Sequence, residues 1–125
     1  MTQSYPEETA VLNALLRMFT GGPSADSLTP IEARDRQKAG ALILDVREAD
    51  EWRSGHAPGA KHVPLGQLPA RLAELPRDRD VIAMCRSGMR SSRATGVLRD
   101  AGFTQVFNLS GGIAAWTAAG LPTKR

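Results

Sequence analysis

The chain's single cysteine, Cys85, opens the run Cys85-Arg86-Ser87-Gly88-Met89-Arg90-Ser91. Apolar Val81-Ile82-Ala83-Met84 precedes it, and a helix-like segment from Ser92 to about Ala101 follows. A strand that ends in cysteine, then a glycine-bearing loop and a helix start, turns several backbone N–H groups and the positive end of a helix dipole toward one sulfur. Such donors, with Arg86 and Arg90 bracketing the loop and Arg93 a turn further on, lower a thiol below its usual pKa of about 8.5. The chemistry they support is attack by a thiolate. The competing reading makes Cys85 a small buried apolar residue at the end of a core strand, a common place for free cysteine. The arginines oppose it, since guanidinium groups are rarely buried without partners. Gly88 adds weight, because it lets the backbone fold tightly around a bound atom.

A thiolate in a cradle of N–H donors beside a guanidinium suits an anionic substrate whose leaving group is a stabler anion. Three reactions qualify: uptake of a sulfane sulfur, uptake of a phosphoryl group, and reduction of an oxyanion such as arsenate. Four residues separate Cys85 from Arg90, one fewer than in cysteine-dependent phosphatases, so the pocket is expected to be tighter than a phosphate needs. Met84 stands where those phosphatases usually carry histidine, and the loop holds no acid to protonate a leaving alkoxide. No second thiol of this chain can resolve an oxidised Cys85, which excludes arsenate reduction through an internal cysteine pair. Whatever the sulfur carries must leave to an outside acceptor.

The elements that must position this loop read as an alternating series. Ser27-Leu28-Thr29 reads as a short edge strand, and Thr29-Pro30-Ile31-Glu32 starts a helix, with a capping threonine, proline at the first helical position and glutamate three residues after the cap. Gly40 ends that helix, and Ala41-Leu42-Ile43-Leu44-Asp45-Val46 is a continuous apolar run typical of a strand buried on both faces. Then come a short helix (Ala49 to Arg53), a strand (Ala60 to Val63), a helix (Leu68 to Leu75), the strand Asp80 to Met84, the helix after Cys85, the strand Gln105 to Leu109 and a helix from Ile113 to Ala119. The expected fold is α/β: a mainly parallel central sheet with helices on both faces, whose ligands bind at the carboxyl ends of the strands. Cys85 lies at such an end. Asp45 and Arg47 should emerge on the same rim, either orienting the catalytic loop or acting structurally, with Asp45 tying the next turn together and Arg47 pairing with Glu51 four residues on. His56 and His62 lack the accompanying ligands of a metal site, and His56 is expected to order the tight turn between Gly55 and Gly59.

Four blocks in order resemble the rhodaneses, the single-domain thiosulfate sulfurtransferases. They are Leu44-Asp45-Val46-Arg47-Glu48; Glu51-Trp52-Arg53-Ser54-Gly55-His56-Ala57-Pro58-Gly59-Ala60; the loop from Cys85 to Ser91; and Asn108-Leu109-Ser110-Gly111-Gly112-Ile113-Ala114-Ala115-Trp116. The resemblance runs from about Ser27 to Pro122, and the loop has the sulfurtransferase length. It implies that Cys85 attacks the outer sulfur of thiosulfate, releases sulfite and holds a persulfide, which cyanide or a cellular thiol then takes. The amides of Arg86, Ser87, Gly88, Met89 and Arg90 would surround the bound sulfur, while the Arg86 and Arg90 side chains steer the anion in. Asp45, Arg47 and Ser91 would support the loop. No metal or organic cofactor is implied. The partners implied are a small anionic sulfur donor and a thiol or cyanide acceptor, or a protein that gives or takes the persulfide.

Residues 1–24 lie outside that resemblance and read as an N-terminal helical extension and linker to a rhodanese-like domain over 25–125. Within them, residues 7–20 have acids in the first turn and Val11, Leu12, Leu15, Leu16 and Phe19 at helical spacing, ended by Gly21-Gly22-Pro23. That apolar stripe would pack on the body, a second copy or a partner; a persulfide carrier or sensor docking a partner through it is the alternative to an enzyme. Sixteen Lys and Arg against thirteen Asp and Glu give a net charge of +3 over 125 residues, but the cations are interleaved with acids and aromatics make up only 5%. This pattern excludes a nucleic-acid surface and suits attraction of small anions to a local pocket. With neither a secretory leader nor an apolar run long enough to span a bilayer, a cytoplasmic location without membrane contact is expected.

Overall fold

The computed structural model describes residues 26–125; the helix expected at 7–20 lies outside the described residues. Strands β1 (Ser27–Leu28), β2 (Leu42–Asp45), β3 (Lys61–His62), β4 (Val81–Met84) and β5 (Val106–Leu109) form one sheet in the order β1-β5-β4-β2-β3. Every pairing is parallel. The helices are α1 (Pro30–Lys38), α2 (Ala49–Ser54), α3 (Met89–Asp100) and α4 (Gly112–Ala118), with a 3-10 helix over Leu65–Glu74. The series matches the sequence expectation in element order and differs in three places, the first being that the helix expected from Ser92 begins at Met89, so that Met89, Arg90 and Ser91 form its first turn. The sheet is wholly parallel among the described residues. The helix expected from Leu68 to Leu75 is instead a 3-10 segment that begins at Leu65 and breaks at Arg71 (φ −122°, ψ 18°). Because the segment begins at Leu65, Pro69 falls inside it, where its missing N–H and its ring leave the Leu65 carbonyl without an α-helical partner.

Alternation along the buried strands divides the core. Leu44, Val46, Val81, Ala83 and Cys85 turn toward Ala94 and Leu98 of α3 and Leu68 of the 3-10 helix. Ile43, Ile82 and Met84 turn the other way, onto Ala33 of α1 and Trp116 of α4. Both faces are therefore covered, as the apolar run of β2 required. Trp116 is fully buried, and its indole N–H donates to the Pro122 carbonyl at 2.7 Å, which pins the chain beyond α4. At the start of α1, Glu32 N–H donates to Thr29 Oγ1 at 3.2 Å and Thr29 N–H to Glu32 Oε1 at 2.9 Å, the reciprocal cap read from the sequence. Among the described residues no helix is long and apolar enough to cross a membrane.

The register carries the site. Asp45 pairs with Met84 and Ala83 with Asn108, so the carboxyl ends of β2, β4 and β5 bring Asp45, Cys85 and Asn108 to one rim of the sheet. Cys85 leaves the central strand between them.

Candidate active site

Cys85 is 1% exposed, which by itself fits an inert core thiol. Its hydrogen bonds do not. Gly88 N–H donates to Sγ at 3.1 Å and the Ser91 hydroxyl approaches at 3.4 Å, so the sulfur meets the loop's donors at the edge of the apolar layer it packs on. Gly88 reaches this position with φ +116°, a left-handed conformation that favours glycine, and caps α3 from there. Burial is the largest influence on the thiol and pushes its pKa up. The Ser91 hydroxyl and the amides of Ser91, Gly88 and Ser87 together outweigh it, leaving Cys85 below the ordinary thiol value. Arg86, Ser87 and Met89 are exposed around it, Met89 to 75%.

The loop is held from behind. Ile113 N–H donates to the Cys85 carbonyl at 2.8 Å and Ala114 N–H to the Arg86 carbonyl at 3.2 Å. Binding the carbonyls of these peptides to the first turn of α4 turns the amides that follow inward. The approach is so close that a Cβ on Gly112 would lie 2.5 Å from the Arg86 carbonyl carbon and oxygen, and nearer still to the Cys85 oxygen. Only hydrogen fits there.

Arg90 is held from the side. Its Nη1 and Nη2 donate to Glu51 Oε1 and Oε2 at 2.7 and 2.9 Å, a two-pronged pair between α3 and α2. Its side chain is thus engaged by a carboxylate rather than free to steer an anion, while Arg86 remains exposed. The expected Arg47–Glu51 ion pair is corrected accordingly. Arg47 pairs instead with Asp45, Nη2 to Oδ2 at 2.7 Å, and meets Glu51 only through its main-chain carbonyl at 3.2 Å. Buried Asp45 also accepts the Arg47 N–H at 3.0 Å and so ties the turn after β2. The result is a chain of contacts from Asp45 through Arg47 and Glu51 to Arg90.

The two histidines stack on Trp52, at ring separations of 3.6 Å for His56 and 4.9 Å for His62. His56 Nδ1 bonds the Trp52 carbonyl at 3.0 Å and His62 Nε2 the Arg47 carbonyl at 2.7 Å. Both order the segment that presents Glu51. Among the described residues no group of three or more His, Cys, Asp or Glu is placed to hold a metal.

Comparison with known proteins agrees with this geometry. The family profile of the rhodanese-like domain matches residues 29–119. This chain belongs to the rhodanese-like family. A sulfurtransferase of Allochromatium vinosum is 44% identical over 81 residues, 65% of this chain and 76% of that protein. Thiosulfate sulfurtransferase 16, chloroplastic, of Arabidopsis thaliana is 40% identical over 82% of this chain and 93% of its own length. The chain spans less than half of a longer relative, the HTH-type transcriptional regulator Rv0324 of Mycobacterium tuberculosis, 41% identical over 104 residues and 46% of that protein. Among solved structures, a rhodanese-related protein from Thermoplasma volcanium superposes with a TM-score of 0.73 at 28% identity, covering 78% of this chain and 96% of that one.

In this rhodanese-like domain, sequence reasoning placed the loop but missed two residues that hold it. Glu51 was assigned to its neighbour Arg47 by helical spacing, and its pairing with Arg90, 39 positions away, leaves no local signal. Gly112 did leave one: a glycine pair between a strand and a helix marks a close backbone approach. Glu51 also provides a pH test. Arg90 holds its carboxyl down to about 2 from 4.5, against the opposing effect of burial and with help from the Glu48 amide. A carboxyl lowered on folding stabilises the fold fully above its unfolded value, and that contribution is lost as pH falls through the folded value. Glu51→Gln is therefore expected to lower unfolding stability by about 1–2 kcal/mol at neutral pH, a charge-assisted pair partly screened by solvent. Urea titrations should show the gap between wild type and variant closing from pH 4.5 toward 2. A gap constant across that range would remove the ion pair as its cause.

Proposed function

We propose that this domain is a sulfurtransferase that carries a sulfane sulfur as a persulfide on Cys85. The observation that carries the reading is the sulfur itself: one thiol, lowered in pKa, facing loop donors at the end of the central strand. Family membership and the sulfurtransferase names of its relatives support the same class of reaction. In the first half-reaction the thiolate attacks the outer sulfur of thiosulfate, the S–S bond of the donor breaks, and sulfite departs with the bonding pair. In the second, a thiolate or cyanide attacks the outer sulfur of the persulfide and Cys85 leaves as thiolate. Charge balances in both steps without a cofactor. The amides of Arg86, Ser87, Gly88, Met89 and Arg90 surround the terminal sulfur, with the Arg86 side chain attracting the anion and Ser91, Asp45 and Arg47 supporting the loop.

Thiosulfate is the donor we assign because a slim, doubly charged anion with a terminal sulfur matches a loop that leaves Cys85 only 1% exposed. The physiological acceptor is a thiol, small or borne by a protein. Mass spectrometry after brief thiosulfate treatment is expected to show a gain of one sulfur atom on the intact chain, lost again on adding cyanide. Since Cys85 is the only cysteine, the adduct has one possible address. An unchanged mass at saturating thiosulfate and with a small-molecule persulfide donor would mean the thiol is sealed and would end the proposal.

A further inference from the structure

One hydroxyl proton in the loop has two acceptors. Ser91 Oγ lies 3.4 Å from Cys85 Sγ and 3.2 Å from the Gly88 carbonyl oxygen, and a serine hydroxyl has a single proton to donate. Where that proton sits decides whether Ser91 stabilises the thiolate. The Gly88 carbonyl already accepts the Ser92 N–H at 3.1 Å. Another donor reaches it from β5: Asn108 Nδ2, through a long contact of 3.4 Å. A carbonyl oxygen offers two lone pairs. With Ser92 and Asn108 on both, the Ser91 proton is left to the sulfur.

The rest of the Asn108 side chain argues against a packing role. Its Oδ1 is buried with no donor among the described residues, and an unpaired buried acceptor destabilises a fold in a way that leucine, of similar volume, would not. Exchanging the amide's oxygen and nitrogen would set two acceptors face to face, so the Gly88 carbonyl fixes its orientation.

We propose that Asn108 is a positioning residue for sulfur transfer: by donating to the Gly88 carbonyl, its amide directs the Ser91 hydroxyl proton onto Cys85 Sγ. The charged groups about the thiol are untouched by this arrangement. They are Arg86 in the loop itself, Arg90 of α3 with Glu51 of α2, and the Asp45–Arg47 pair at the end of β2, which His62 of β3 meets at the Arg47 carbonyl. Asn108 is neutral and acts through the hydrogen bond alone. The proposal rests on Cys85 working as a thiolate in sulfur transfer, yet its test reads ionisation and not turnover, so each can fail without the other.

With one cysteine in the chain, thiolate absorbance followed against pH in the far ultraviolet, read against the C85S variant as blank, reports Cys85. N108L is expected to lower the thiolate fraction below the midpoint about threefold to tenfold, the size of one lost hydrogen bond to a charged acceptor. S91A should lower it at least as much. In the S91A background N108L should have no further effect, because the proton it directs is gone. If N108L folds poorly by circular dichroism, N108S, polar but too short to reach Gly88, carries the same comparison. An unmoved midpoint in the folded single variant, an S91A variant that titrates like wild type, or an equal fall in both backgrounds would each overturn the proposal.

Discussion

Cys85→Ser is expected to reduce thiocyanate formation from thiosulfate and cyanide by roughly four orders of magnitude or more, the scale on which loss of a covalent nucleophile is felt. Serine is nearly isosteric and can accept the same Gly88 and Ser91 hydrogen bonds, so the fold should persist and thermal melting should barely move. What it cannot do is ionise. The loop's donors bring a thiol below its ordinary value against the opposing effect of burial, but an alkoxide starts many pKa units higher and the same few hydrogen bonds do not bridge that interval. Serine also forms no persulfide, so the intermediate itself is lost. Thiocyanate production by the folded Cys85→Ser variant at even a hundredth of the wild-type rate would place the chemistry elsewhere.

Gly112→Ala should be the most damaging substitution that touches no reacting atom. Gly112 has φ +60°, and its added Cβ would collide with the main chain of Cys85 and Arg86 rather than with a side chain able to swing aside. Either the loop moves outward or α4 does. In both cases the bonds from Ile113 and Ala114 to the loop carbonyls, at 2.8 and 3.2 Å, are stretched. We expect a loss of roughly 2–4 kcal/mol in unfolding stability from backbone strain and overpacking. Because a misplacement of about 1 Å costs around a hundredfold in rate, sulfur transfer should fall by that order even where the protein stays folded. The Cys85 thiol should titrate higher as its amides turn away. Gly120 is the control: it also has positive φ, at +77°, but a Cβ there meets nothing within 4 Å. Gly120→Ala is expected to strain the backbone without altering the rate, and equal losses of activity in the two variants would remove the close approach as the cause.

These expectations draw unequally on sequence and structure. The alternation of apolar runs with capped helical segments was enough for the fold class, because strand burial and helix starts are written in neighbouring residues: the reciprocal Thr29–Glu32 cap and the β2 run stand where the sequence put them. The place of the Cys85 loop was equally legible, since one cysteine between a strand and a helix, with Gly88 inside the turn, is a local pattern. The helix drawn from Leu68 to Leu75 failed for a local reason too: the turn starts at Leu65, which puts Pro69 inside it and costs the Leu65 carbonyl its α-helical partner.

Contacts across the fold were not legible. By sequence, Glu51 had an arginine four positions away and no reason to choose another. The tertiary structure gave Arg47 to Asp45 and left Glu51 for Arg90, because the parallel β2 and β4 bring α2 and the start of α3 to the same rim. Gly112 and Asn108 likewise acquire their roles only when the end of β5 is laid beside the loop after β4. The residue we propose to hold a persulfide is thus named by its own neighbourhood in the chain. The acidity of its sulfur is set by amides and one hydroxyl whose directions depend on distant carbonyls, and hydrogen-bond direction is a property of assembled backbone that residue types alone do not encode.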